Sequence, residues 1–461
     1  MATVTADRRL FLQSTAAAAV LSAASYARVP GANERVSVGV IGYGLIAQTH
    51  VATFRKLPDV QIAAISDCHA KRLEEGVAAA GDGAKPYADF RKLLDDKAVD
   101  AVILSTPDHW HALMTMLACA AGKDVYVEKP LTRFVREGEW MQAVAEREKR
   151  VVQVGTQQRS GTHYKRAREL IRDGHLGTVT SVRMSSIRNV SPGFGNPPDA
   201  PVPEGFDWEM WQGPAPARPY NPLRGLYHFR WFWDTSGGQM TNLAAHHLDI
   251  VDWYLGLGGL KSVMSLGGRY ALKDGGETPD TQDAIFDLGS FSAAFVMREA
   301  AAGERPAFGL TFHGTRGSMG IDRRGFRVTP DADVPGANLI PGVTRGHPSG
   351  GPVPIVVKDA AKPRTAAIED ATGKGDEQYL NHARDFIDCV KSRKRPISDL
   401  ASAQRTAVAC HLGNMSLRLG RSLHWDPIKQ DVVNDREATA MLTRPYRAPW
   451  DRELKALGVG G

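Results

Sequence analysis

The most chemically specific stretch of the chain is Val38-Gly39-Val40-Ile41-Gly42-Tyr43-Gly44-Leu45-Ile46-Ala47, a Gly-x-Gly-x-x-Ala run between an apolar segment and a helical pattern. Gly42 permits a tight turn, Gly44 lets backbone approach a pyrophosphate, and Ala47 is small enough for helix to pack on strand. The amides of Tyr43, Leu45 and Ile46 then sit at a helix N-terminus, where free N–H groups and a partial positive charge favour phosphate. Asp67 ends the next apolar run, 20 residues beyond Ala47, where a carboxylate can accept hydrogen bonds from a ribose diol. A purely structural glycine turn is the bland alternative. The ordered succession of strand, turn, helix, strand and acid favours a dinucleotide. Asp67 favours NAD because its charge repels a 2′-phosphate, while Lys71 and Arg72 leave NADP possible. Further on, Ser105-Thr106-Pro107-Asp108-His109-Trp110-His111 follows another apolar run. Thr106, Pro107, Asp108 and His111 are cofactor-side candidates, although Asp108 can equally cap a helix. In Gly237–Asp249, Asn242, His246 and Asp249 fall at i, i+4 and i+7, one face of a helix. A pair such as His246-His247 can be catalytic, metal-binding or simply buried, and we assign no metal.

Five short apolar runs, Val36–Ile41, Gln61–Ser66, Ala101–Ser105, Asp124–Val127 and Val151–Val154, read as strands buried on both faces. Helical patterns at His50–Lys56, Ala70–Ala80, Asp89–Asp95, His109–Ala121 and Val135–Lys149 alternate with them, which predicts a parallel, doubly wound sheet. That arrangement delivers the glycine loop, Asp67 and the Ser105–His111 segment to the carboxyl edge of one sheet, where such folds bind ligands. After Thr156 the texture changes. A helix near Tyr164–Asp173 and a strand near Val179–Ile187 precede an aperiodic Pro/Gly/aromatic stretch, Ser191–Trp233. Long irregular stretches in compact domains are usually functional or mobile. Gly238–Leu255 reads as one helix, Lys261–Thr311 as antiparallel strands, and Glu377–Ser392 and Ala401–Leu419 as helices. Asp331–Gly375 reads as an exposed excursion and the end of the chain as an irregular tail. The domain reading is therefore 1–33 leader and linker, 34–155 nucleotide domain and 156–461 substrate domain.

Val127-Glu128-Lys129-Pro130-Leu131 closes the next βα unit. With the fingerprint, the Thr-Pro-Asp-x-x-His segment and the later His motif, it makes the chain resemble the glucose–fructose oxidoreductase/inositol dehydrogenase (Gfo/Idh/MocA) family from about Val36 to Gly420. The resemblance implies an α/β Rossmann dinucleotide-binding domain followed by an α+β domain with an open, mostly antiparallel sheet. It implies a substrate pocket between that sheet and the nicotinamide, with Glu128 and Lys129 on the cofactor side. A lysine ammonium there can hydrogen-bond the reacting hydroxyl or stabilise a developing alkoxide. An ordinary surface lysine is its alternative. In the family an Asp commonly precedes the catalytic His or Tyr by four residues, and the match falls on Asn242 and His246. Asn cannot raise the pKa of His246 by charge. On this basis His246 is the expected base and Lys129 polarises the oxygen, with His247 or Asp249 as possible helpers. Arg159, His163, Arg230, Trp231, Asp234, Asn242 and His247 are the substrate-side candidates, since Arg and Asp read sugar hydroxyls and indoles stack on sugar faces. Core packing is the competing role for the aromatic run Tyr227–Asp234, and for Trp208 and Trp211.

At 461 residues the chain is long enough for two or three domains. Its 43% hydrophobic and 23% charged residues are a globular balance that argues against disorder. The N-terminus combines Arg8-Arg9 with Phe11-Leu12, an Ala-rich middle from Thr15 to Ala24 and small residues near Ser25-Tyr26-Ala27, which resembles a twin-arginine export signal. A disordered tail is its alternative. Removing Asp7, Arg8 and Arg9 lowers the formal charge from +6 to +5, spread along the chain. No nucleic-acid module accompanies that charge, and the apolar leader is too short to span a membrane. The four cysteines, Cys68, Cys119, Cys389 and Cys410, lack CxxC spacing, so neither a zinc site nor a disulfide framework is predicted.

The function expected is an exported, periplasmic or secreted NAD(P)-dependent oxidoreductase moving a hydride between nicotinamide and a hydroxyl carbon of a sugar, glycoside or polyol. Two alternatives use a tightly held NAD redox-neutrally, as a glycoside hydrolase or lyase or as a sugar–sugar oxidoreductase. A third is a binding protein that has lost turnover. The family resemblance also implies a homo-oligomer.

Overall fold

The structure is a computed structural model that describes residues 35–81, 83–303, 308–333 and 362–460. The leader at 1–33 and most of the Asp331–Gly375 excursion lie outside the described residues.

The first sheet contains β1 (Val36–Ile41), β2 (Val60–Ser66), β3 (Lys85–Tyr87), β4 (Ala101–Leu104), β5 (Asp124–Val127) and β6 (Val152–Val154). All pairs are parallel, in the order β3-β2-β1-β4-β5-β6. The chain reverses its direction of winding between β1 and β4, and the crevice above that point is where doubly wound sheets bind dinucleotides. β4 and β5 are buried at every position, which explains the unbroken apolar run of β4 and the Val-Tyr-Val that follows Asp124 in β5. The helices are α1 (Leu45–Phe54), α2 (Ala70–Ala80), α3 (Phe90–Asp95), α4 (Asp108–Ala120) and α5 (Val135–Arg147). α1 begins five residues before the predicted start, directly after Gly44. That brings its free N–H groups against the glycine loop. β3 was not predicted. It is three residues long, contains Pro86 and lies on the sheet edge, so it carries no alternating or apolar pattern.

The second domain opens with α6 (Thr162–Arg172) and β7 (Val179–Ile187). The short helix α7 (Trp208–Gln212) lies in the aperiodic stretch, and α8 (Ala245–Leu255) follows a π turn at Met240–Ala244. Next come β8 (Ser262–Gly268), β9 (Thr281–Asp287), β10 (Ser292–Arg298), β11 (Phe308–Gly314), β12 (Gly317–Asp322) and β13 (Gly325–Pro330). A two-strand ribbon of β14 (Ala332–Asp333) and β15 (Lys362–Pro363) precedes β16 (Ile368–Asp370). Helices α9 (Gly375–Ser392) and α10 (Leu400–Leu419) follow, then β17 (Leu423–Asp426), β18 (Asp431–Val432), α11 (Arg436–Ala440) and α12 (Trp450–Ala456). The large sheet runs β16-β13-β12-β11-β7-β10-β9-β8-β17-β18 and is antiparallel except for the β7–β10 pair.

The tail after Gly420 is ordered, which corrects the reading of it as irregular. Its elements are too short for periodicity to show, yet Tyr446, Trp450, Leu454 and Leu457 pack into one face of the nucleotide domain. Leu400, Ala403 and Ala407 of α10 join that same face, and Ala383, Phe386 and Ile387 of α9 cover the other. The four cysteines are free thiols, three of them buried. Among the described residues no helix is long and apolar enough to cross a membrane.

Candidate active site

A cleft lies between the carboxyl edge of the parallel sheet and the second domain. Gly42 has φ +84, and a Cβ there would come within 3.1 Å of the Ser105 carbonyl oxygen. Both the turn and the packing therefore require glycine. Gly44 differs: the only atom near its ideal Cβ is an Arg72 nitrogen at 3.9 Å, so its open side faces the cleft. Ala47 is fully buried beneath the loop. The Asp67 carboxylate accepts the Tyr43 amide at 2.7 Å and the His69 amide at 2.8 Å, which fastens the end of β2 to the loop. Burial pushes the Asp67 carboxyl upward, against these two bonds and the nearby charge of Arg72. Gly42, Gly44, Leu45, Ile46 and Asp67 line the cleft, whereas the Tyr43 ring turns inward against Gly76 and leaves only its backbone for the loop.

Thr106, Pro107 and Asp108 line the next part of the cleft, and Asp108 accepts a hydrogen bond from Ser236. The hydroxyls of Ser105 and Thr106, and Nδ1 of His69, are buried beside the cleft without partners. Orphaned polar atoms of this kind call for a ligand or water. With the open space above Gly44, they fit the ribose and phosphate groups of NAD. His111 is corrected. Its ring nitrogens lie 2.6 Å from the Pro130 carbonyl and 2.9 Å from the Thr106 carbonyl, so it ties two edge loops together beneath the cleft rather than lining it.

Glu128 is buried and receives hydrogen bonds from His50 at 2.8 Å, from Gln157 at 2.7 Å and from the Lys129 amide at 3.0 Å. Desolvation opposes its charge, but the His50 bond and the neighbouring cations hold the carboxyl below its ordinary value. Lys129 keeps some exposure to the cleft, and its Nζ donates to the Asn242 side-chain oxygen at 2.8 Å and to the Asn242 carbonyl at 3.0 Å. Desolvation pushes this ammonium down to about 8 despite the charge of Glu128.

The π turn sets the other wall. Asn242 and His246 both line the cleft, and Asn242 is steadied by its donation to Gln239 at 2.9 Å. His246 is buried with Nδ1 unpartnered, and desolvation, then Lys129 and Arg323, hold its pKa well below the usual value. The imidazole is therefore neutral near pH 7. The wider turn breaks the single helical face that straight spacing predicts. Asp249 points away, paired with Arg159 at 2.8 Å and fully buried. His247 also leaves the cleft: Nε2 donates to the Ser185 carbonyl at 3.1 Å and the ring packs on Phe308.

Five of the seven substrate-side candidates are corrected by burial or pairing. Arg159 is locked between Asp249 and Asp252, and His163 binds the Asp322 carbonyl at 3.0 Å. Trp231 is 1% exposed and donates to Glu299. Asp234 pairs with Arg218 at 2.7 Å, and His247 is placed as above. Arg230 and Asn242 remain in the cleft. The Arg230 guanidinium stacks 4.5 Å from Phe229 and 5.0 Å from Tyr227, and it donates to the Tyr227 carbonyl. Residue types alone missed Tyr379 on α9 and the lining residues Phe206, Met210 and Leu226, whereas Trp211, Tyr227 and Phe229, which the sequence left between stacking and core packing, also line the cleft. The irregularity of Ser191–Trp233 was the available signal for most of them; Tyr379 had none.

Two descriptions of one family match the chain in succession. The NAD-binding Rossmann fold of an oxidoreductase family matches residues 36–156, and its C-terminal alpha/beta domain matches 160–264 and 374–452. The chain is similar to the uncharacterized oxidoreductase YrbE of Bacillus subtilis, 24% identical over 63% of this chain and 74% of that one. It is also similar to an inositol 2-dehydrogenase of Klebsiella pneumoniae, 33% identical over 34% of this chain and 47% of that protein. The chain thus spans about half the length of that dehydrogenase. Among solved structures it shares its fold with a levoglucosan dehydrogenase in complex with NADH and levoglucosan. The TM-score there is 0.64 at 17% identity, covering 85% of this chain and 99% of that one. It also shares the fold of the WlbA dehydrogenase of Bordetella pertussis in complex with NADH and UDP-GlcNAcA, at TM-score 0.61 and 18% identity over 84% and 98%. With both of its domains matched in order, the chain belongs to the Gfo/Idh/MocA oxidoreductase family.

Proposed function

We propose that the protein is an exported NAD(P)-dependent oxidoreductase that moves a hydride between the nicotinamide and a hydroxyl carbon of a sugar, glycoside or polyol. The observation that carries this reading is the meeting of Lys129 from the nucleotide domain with Asn242 and His246 from the second domain at one cleft. NAD, when bound, supplies the hydride acceptor. The residues supply the rest. Neutral His246 takes the hydroxyl proton, and the Lys129 ammonium donates to the same oxygen as it gains negative charge. Asn242 orients Lys129 without adding charge. Arg230 offers donors to the remaining hydroxyls, and Tyr227 and Phe229 offer apolar faces to the sugar ring. Similarity to inositol and levoglucosan dehydrogenases supports the polyol and sugar class.

Export is supported by the Arg8-Arg9 leader pattern. A homo-oligomer is supported by the exposed apolar side chains of the large sheet, where Leu266 and Ile285 are each 60% exposed; light scattering checks it. The function is tested by following NADH absorbance with a panel of sugars, sugar acids and polyols. Saturable NADH formation that disappears in Lys129→Met supports the reading. Binding of NAD with no turnover on any of the panel would count against it.

A further inference from the structure

We propose that residues 203–213 form a strap from the second domain that closes over the adenosine half of the dinucleotide, so that detachment of the strap limits the release of NADH and, with it, turnover. The inference rests on the cleft being a dinucleotide site. The strap is fixed at both ends to the nucleotide domain. At one end the Ala70 amide donates to the Gly205 carbonyl at 2.7 Å and the Asp207 amide to the Cys68 carbonyl at 2.9 Å, just past the end of β2. At the other end the Trp211 carbonyl accepts from the Trp110 indole at 3.0 Å, with His109 Nε2 also 3.0 Å away, at the start of α4. Because β1 lies between β2 and β4 in the sheet, a segment pinned at both of those edges passes over the glycine loop.

The space beneath it is part of the cleft. Phe90, Trp110 and Met114 line it from below, and Phe206, Met210 and Trp211 from the strap. Asp67, the residue placed for the adenosine ribose, is two positions from His69, which bridges to Phe206 and packs against its ring at 5.3 Å. An apolar, aromatic slot next to that carboxylate suits a purine ring. Outside the cleft, Arg447 braces the strap by donating to the Gly213 and Glu209 carbonyls and pairing with the Glu209 carboxylate. A ligand under such a strap leaves when the strap detaches, so release is gated by breaking contacts the ligand does not itself make.

The test uses the full-length protein loaded with NADH and chased with excess NAD, reading the loss of NADH fluorescence by stopped flow. The expected result is release in the wild type at a rate that matches turnover. Arg447→Ala, which touches no cleft residue's side chain, and Phe206→Ala should each speed release about tenfold or more. A wild type that releases NADH faster than it turns over, or variants that release no faster, would overturn the strap. No NADH binding at all would instead overturn the dinucleotide reading on which it rests, and equilibrium binding measured beforehand separates the two failures.

Discussion

Lys129 is a largely desolvated cation at the cleft wall, held next to a neutral acceptor, and both facts are measurable. Its ammonium is pushed down to about 8, so it loses its proton in the mildly alkaline range. His246 stays neutral through the same range because its own value lies well below the usual one. The kcat/KM profile for alcohol oxidation should therefore lack an acid limb near neutrality and fall on the alkaline side near pH 8. An acid limb between pH 6 and 7 would assign the base elsewhere. Replacing Asn242 by Asp puts a carboxylate where the amide oxygen now lies 2.8 Å from Nζ. That should raise the Lys129 value and move the alkaline limb up by about a unit or more. Lys129→Met should lower kcat by roughly 10²–10⁴-fold with NAD affinity retained. It should also stabilise the fold at pH 7, on the order of 1–3 kcal/mol, visible as a raised Tm. The sign follows from proton counts. Between about 8 and the ordinary lysine value the unfolded chain binds more protons than the native one, so wild-type stability rises with pH through that window. At this scale Asp67 and the glycines were legible because backbone geometry dictates their spacing, and Lys129 through the family resemblance that Glu128-Lys129-Pro130 carries. Arg159, His163 and Trp231 were misassigned because side-chain type does not reveal which way a residue faces.

Elements decide that facing. The turn at Met240–Ala244 is π rather than α and carries Asn242 to the cleft beside His246, while Asp249, farther along α8, pairs with Arg159. No pattern of apolar residues announces such a turn, whereas Ala70–Ala80 and Val179–Ile187 match the predicted bounds because their periodicity is clean. The glycine loop offers the sharpest test at this scale, since its two glycines serve different ends. Gly42→Ala forces a side chain into φ +84 and against the Ser105 carbonyl, so both Tm and nucleotide binding should fall. Gly44→Ala meets no protein atom closer than 3.9 Å, so Tm should stay within about a degree while NAD affinity drops roughly tenfold or more. Thermal scans with and without nucleotide resolve the pair. Equal losses of stability in both variants would refute this division of roles.

The whole molecule is less divisible than its sequence suggests. A boundary near residue 155 separates two patterns, but α9 and α10 return from the second half to cover both faces of the first sheet. Arg384 and Lys391 of α9 pair with Asp59 at 2.6 Å, and Arg393, just past its end, pairs with Asp124. Non-local packing of this kind leaves no local signature, so composition alone cannot show that the nucleotide domain is incomplete without the C-terminal helices. Residues 35–156 expressed alone should accordingly be insoluble or molten, while the full chain unfolds in one transition. Within the second half, a buried ion network ties the segment after β6 to two helices. Arg159, beyond β6, binds Asp249 and Asp252 on α8, and Asp252 is shared with Arg405 of α10. Removing one member of such a network strands the others, because a desolvated carboxylate has no water to replace its partner. Arg159→Ala should therefore destabilise the full chain by about 3–5 kcal/mol in urea unfolding, with the KM for sugar unchanged below the transition. A raised KM with full stability would return Arg159 to the substrate pocket, where its charge first suggested it belonged.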